Sequence, residues 1–259
     1  MISKLKILVV LLAGAALAWS GCKKSSSKPA DPQLTPSQVA SQAALTIGES
    51  LTGGLGAFDV SAGLSAPSTL AVHQGGKVIN DLSNPECGTV VDTTLTANAT
   101  SGDSTITFNG TLKFSFACTN GVLSGYTTND NVVIGFSGGS TKFSYSVGED
   151  FTAAAVTPGS STSNISLNGS LTSNGSYQNL TGSTGSGTVI FDFTLKSIIM
   201  AGDGSGTLLS GSATFNTSGT GPRGAWNYSG TIVFQGNGSA AVTINGTTYT
   251  VNLTTGATS

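Results

Sequence analysis

The chain has 259 residues, of which Ser, Thr, Asn and Gly fill 125, and only 8% are charged, against about 25% in an average soluble protein. Ten Lys and Arg against twelve Asp and Glu leave a net charge of −2, so there is no basic field to neutralise phosphates and nucleic acid is excluded as a partner. A 38% hydrophobic content with abundant Thr, Val, Ile and Phe gives enough β-type core to exclude a disordered chain.

Residues 1–21 form a signal segment. Lys4 and Lys6 supply a positive start, and Ile7 to Ala18 is apolar throughout apart from Gly14, too short a run to span a bilayer comfortably. Ser20-Gly21-Cys22 then resembles the bacterial lipobox, although Trp19 stands where that pattern usually has Leu, Ile or Val. The resemblance implies cleavage before Cys22 and its lipidation, an anchor made stable by two or three acyl chains. Residues 22–34, rich in Ser, Lys and Pro without a hydrophobic period, read as the lipidated tether.

An amphipathic helix is expected over 35–56. Thr35-Pro36-Ser37-Gln38 places a capping hydroxyl, a first-turn Pro and a Gln three residues on. Val39, Ala43, Ile47, Leu51 and Leu55 make the apolar stripe, with the end expected by Gly53-Gly54. Residues 57–86 connect it to the rest, and Val72, Gly75-Gly76 and Val78 suggest one hairpin there.

From Cys87 to residue 259 the hydrophobic period becomes two, which predicts an all-β antiparallel meander of about ten or eleven strands forming a strongly curved sheet or barrel. Apolar residues hold one parity from Ile106 through Phe116 across Asn109-Gly110, so that dipeptide lies within a strand. At Asn245-Gly246 the parity switches, predicting a two-residue hairpin that pairs Val242 with Tyr249. The same reasoning pairs Phe136 with Phe143, Ile134 with Tyr145 and Val132 with Val147 around Gly138-Gly139. It also pairs Phe215 with Trp226 and Ala213 with Tyr228 around Thr220-Gly221, and makes strands of Val189 to Leu195 and Ile165 to Leu171.

Val91 facing Phe114 and Ala97 facing Phe108 put Cys87 opposite Cys118 across a hairpin centred on Gly102-Asp103, both on the apolar face. A disulfide is expected in an exported chain. A four-residue loop, Ser101 to Ser104, would place the α-carbons about 4.5 Å apart, whereas a two-residue loop would put the pair at the wider, more strained site.

Motifs for chemistry are thin. Gly135-Phe-Ser-Gly-Gly139 matches a nucleophile pattern, but it caps a hairpin and His73 lies upstream. Gly219-Thr-Gly-Pro-Arg-Gly224 matches a dinucleotide fingerprint between two antiparallel strands, where no helix can hold a pyrophosphate. Asn129-Asp130-Asn131 and Glu149-Asp150 could offer oxygens to calcium but lack the spacing of a known loop, and are expected as solvated turns. Glu86, Asp92 and Asp192 show no paired-carboxylate logic. Trp226, Tyr228 and Tyr249 fall on the apolar face and are expected as core rather than as sugar-stacking rings. Neither a metal nor a cofactor is expected, and no residue is assigned to catalysis or ligand binding.

The lipobox, the Ser-rich tether, the single helix and the Gly/Thr/Asn-rich meander together resemble the lipoproteins of Bacteroidota. That resemblance implies attachment to the cell outer membrane, and Asp92-Thr93-Thr94 and Asp103-Ser104-Thr105 resemble the O-glycosylation motif of the same group. The expected function is a membrane-anchored, non-catalytic module of the cell envelope that binds an apolar small molecule or an envelope protein or glycan partner. The alternative is a structural or adhesive surface protein with a dry core. The final Thr-Thr-Gly-Ala-Thr-Ser259 and the lack of aromatic girdles argue against a transmembrane barrel.

Overall fold

The computed structural model describes residues 34–52, 64, 73–74, 77–78, 87–179 and 185–259. The signal segment, Cys22, the tether up to residue 33, Leu55 and Glu86 lie outside them.

Helix α1 spans Pro36–Leu51 and opens as its sequence dictates. The Thr35 side chain accepts from the Gln38 backbone N–H, and the Gln38 side chain accepts from the Thr35 N–H. It closes just before Gly53-Gly54, at the Thr52 cap, whose hydroxyl and N–H both donate to the Gly48 carbonyl. Val39, Ala43, Ile47 and Leu51 are buried as the stripe requires, and Ala40, Ala44 and Gly48 widen the buried face to about half the circumference.

Two short strands, β1 (His73–Gln74) and β2 (Lys77–Val78), pair as the hairpin anticipated in the connecting segment. The ten strands that follow form one antiparallel sheet in strict sequence order, from β3 at one edge to β12 at the other. They are β3 (Val90–Ser101), β4 (Ser104–Thr119), β5 (Val122–Gly138), β6 (Thr141–Ala155), β7 (Ile165–Asn179), β8 (Ser186–Met200), β9 (Leu208–Gly221), β10 (Gly224–Phe234), β11 (Ser239–Ile244) and β12 (Thr247–Asn252). The meander is all-β with one helix, as expected, but the sheet stays open and is not a barrel: β3 and β12 do not pair.

One face of the sheet is apolar and buried, and α1 packs on it against β10, β11 and β12. The chain end closes the β12 edge. Thr250 exchanges backbone hydrogen bonds with Ser259, and Asn252 N–H donates to the Ala257 carbonyl. The same segment holds the helix, since Ser41 Oγ donates to the Gly256 carbonyl at 2.6 Å. On the other side Tyr228 donates to the Leu34 carbonyl at 2.9 Å.

Most of the register follows parity. Phe136 faces Phe143, Val132 faces Val147, Val242 faces Tyr249, and Asn109-Gly110 runs through the middle of β4. A Cβ on Gly110 would lie 2.8 Å from the Asn131 carbonyl, so this glycine marks a close approach of two backbones. The turn between β5 and β6 is Gly139-Ser140, one residue later than placed above.

The β9–β10 register needs a larger correction. Phe215 faces Gly230 and Trp226 faces Gly219, because the turn is Pro222-Arg223 and not Thr220-Gly221. The shift is even in register, so it keeps every side chain on its face. Its physical reason is volume: a Cβ on Gly230 would sit 2.7 Å from the Phe215 ring, and one on Gly219 would strike the Trp226 indole. Each ring lies over a residue that has no side chain, whereas pairing Phe215 with Trp226 would crowd two large groups.

The cysteine prediction holds in its pairing and fails in its detail. Cys87 and Cys118 form a disulfide with α-carbons 5.5 Å apart, within the common range. The loop has two residues, Gly102-Asp103, because Ser101 faces Ser104. Cys87 escapes the wide site because Gly88 and Thr89 both face Phe116, Gly88 at φ +77°, a bulge that offsets the ladder by one residue before the cysteine is reached. Cys87 is exposed and Cys118 half-buried, so the bridge sits at the sheet margin and not in the apolar face.

Replacing Gly230 with Ala should destabilise the fold by about 1–3 kcal/mol through overpacking against Phe215, measured by urea titration. An unchanged midpoint would contradict the register.

Candidate functional site

The sheet's buried face carries one feature that an ordinary core lacks. Following a single row across neighbouring strands, Asp130 faces Glu149, Glu149 faces Leu171, Leu171 faces Phe193, Phe193 faces Phe215 and Phe215 faces Gly230. Two carboxylates therefore stand side by side in a row of hydrophobic residues, only 4% and 2% exposed. Asn129-Asp130-Asn131 and Glu149-Asp150 are thus not solvated turns. They lie mid-strand in β5 and β6, where alternation sends Asp130 and Glu149 inward and Asn129, Asn131 and Asp150 outward.

The pair alters the sheet locally. Pairing of β4 with β5 runs to Thr111 opposite Asn131 and resumes at Phe114 opposite Thr128. In the gap, the Lys113 backbone N–H donates to Asp130 Oδ1 at 2.9 Å, so a carboxylate takes a donor that β5 carbonyls would otherwise receive. Asp130 Oδ2 and both Glu149 oxygens accept no hydrogen bond among the described residues. The Thr128 hydroxyl lies beside Asp130 without completing a hydrogen bond of good geometry. Lys113, Lys142, Lys196 and Arg223 are all exposed, and Lys113 reaches Asp92 on the outer face at 3.5 Å.

Burial without a counter-charge penalises the ionised form. Desolvation pushes Asp130 up to about 6, with Thr128 and the Lys113 N–H pulling the other way. Glu149 is raised well above the usual carboxylate range, by desolvation first and then by Asp130. Tyr145, two positions along from Val147 on the same face, accepts a hydrogen bond from Ser173 Oγ at 2.9 Å. Its phenol is pushed up to about 12 by burial, helped by the negative fields of Glu149 and Glu49.

A second feature lies at the C-terminal end of α1. Gly48, Glu49 and Thr52 face the β8–β9 loop at Ser205 to Leu208, with Gly238, Leu253 and Thr254 completing a pocket of about 330 Å³. Among the described residues Glu49 is its only charged wall residue, and partial burial raises its pKa. Leu208 and Leu253 give it an apolar side, and Ser205, Thr207 and Thr254 supply hydroxyls.

The remaining candidates fall where alternation puts them. Trp226 is buried, and Tyr228 and Tyr249 pack against the core. Ser137, the would-be nucleophile, is exposed beside the β5–β6 turn, and Asp92 and Asp192 lie on the outer face. Thr93 of the first glycosylation-like triplet is buried, while Ser104 sits at the β3–β4 turn. No helix among the described residues is long and apolar enough to cross a membrane.

Comparison with family models, curated proteins and solved structures gave no match.

The carboxylate pair fixes the sign of the pH dependence. Asp130 and Glu149 bind protons more tightly folded than unfolded, so their contribution to stability is fully present below about pH 4 and is lost as pH rises through their folded values. In chelator, the protein should be on the order of 2–3 kcal/mol more stable at pH 4 than at pH 8, taking Asp130 alone. The Asp130→Asn/Glu149→Gln double variant should flatten that slope in denaturation curves and gain stability at pH 8. A wild-type curve rising toward pH 8 would show that the pair is not buried as charges.

Proposed function

We propose that this chain is a lipid-anchored, non-catalytic binding module of the outer membrane, with the pocket at the end of α1 as the place where a small ligand sits. The pocket carries the reading. At about 330 Å³ it falls at the small end of the range for ligand sites, and it combines an apolar wall with a few polar groups as such sites do. The Ser20-Gly21-Cys22 segment supports the anchor, and the sheet supplies a rigid frame against which the helix end and two loops form the walls.

A structural or adhesive role is the second reading, favoured by the outer face of the sheet. There Thr100 with Thr105, Thr188 with Thr220 and Thr243 with Thr248 join hydroxyls across neighbouring strands at 2.8–3.4 Å. Such a surface, rich in hydroxyls with charges scattered among them, would meet sugars or neighbouring envelope components through many weak hydrogen bonds.

Native mass spectrometry of protein purified from its own membranes, after proteolytic release from the tether, separates the two. The binding reading expects a species carrying one small molecule of fixed mass, and expects Thr254→Trp, which fills the pocket from its exposed rim, to remove it. A bare mass for the wild type, repeated under mild desolvation and without cell disruption in detergent, would favour the adhesive role.

A further inference from the structure

We propose that Asp130 and Glu149, with the Thr128 hydroxyl, form a buried site for a hard divalent cation, magnesium or calcium. The inference is independent of the pocket at the helix end and of any lipid anchor.

The geometry starts from the register. Asp130 and Glu149 are direct cross-strand partners, and counting by twos from the Gly139-Ser140 turn puts them at a hydrogen-bonded position, where α-carbons stand about 5.5 Å apart. Their carboxylates therefore meet above one spot of the buried face. Thr128 precedes Asp130 by one inward position and brings its hydroxyl to the same place. Four buried oxygens result, Asp130 Oδ2, Glu149 Oε1, Glu149 Oε2 and Thr128 Oγ1, and none has a hydrogen-bond partner outside this cluster among the described residues.

Charge and donor chemistry select the occupant. Two ionised carboxylates in an apolar row need two positive charges nearby. Lys113, Lys142, Lys196 and Arg223 are exposed, so no described strand of the sheet brings a positive charge to the pair. A monovalent ion would leave one charge uncompensated, whereas one divalent ion cancels both. The donors are all oxygen, which suits magnesium or calcium and not zinc or copper. Magnesium in particular is held through one or two carboxylates while keeping part of its water shell. Asp130 Oδ1 stays tied to the Lys113 N–H, which orients the carboxylate and leaves Oδ2 for the ion.

The test compares melting temperatures of the purified protein at pH 7.5 in EDTA, in MgCl₂ and in CaCl₂. A cation at about 100 times its Kd should raise the Tm by roughly 5–10 °C. Asp130→Asn/Glu149→Gln should fold without any cation, since it removes the buried charges, and should lose the whole increment. Terbium provides a second readout, because Tyr145 and Tyr126 lie on the same face and would sensitise its emission in the wild type but not in the double variant. Equal melting temperatures in EDTA and in both cations, or an increment retained by the double variant, would overturn the site.

Discussion

In an antiparallel strand, neighbouring side chains leave on opposite faces, so a sheet that buries one face must hold its register to within an even step. Ten consecutive strands here obey that condition, and each connection has to return the chain with its apolar set on the same side. Two-residue turns manage this between β3 and β4, β5 and β6, β9 and β10, and β11 and β12. Where the spacing drifts, bulges at Ala117–Cys118, Leu167–Gly169 and Lys196–Met200 absorb the extra residue. The helix adds no new principle. It needs an apolar surface, and the last three strands provide one.

Parity also sets what the sequence could disclose. Strand existence, face and most partners could be read because Phe, Val, Ile and Leu alternate with Thr, Ser and Asn over long stretches. The β9–β10 register could not, since pairing Phe215 with Trp226 or with Gly230 puts the same residues inside. Only volume distinguishes the two, and volume is a property of neighbours in space. The Cys87 site failed for a related reason: a left-handed glycine at 88 inserts a residue that hydrophobic counting does not see.

The buried carboxylates were within reach of the same arithmetic. Val132 facing Val147 implies Asp130 facing Glu149 one inward step away, on the apolar side of both strands. The general expectation that Asp and Glu face water outweighed the pattern. The pocket at the end of α1 was not legible at all, since its walls come from α1, the β8–β9 loop, the β10–β11 turn and residues 253–254, segments that no local period relates.

The fold-back of residues 257–259 onto β12 makes the two margins of the sheet unequal. On one side residues 257–259 cover Thr250 and Asn252, while β3 keeps a row of backbone donors and acceptors that no described strand pairs. A second molecule joining through β3 could offer its own β3, and such a union consumes both of those open margins at once. A union of two β3 edges about a twofold axis would therefore close on itself as a dimer and would not by itself propagate into an open-ended fibre.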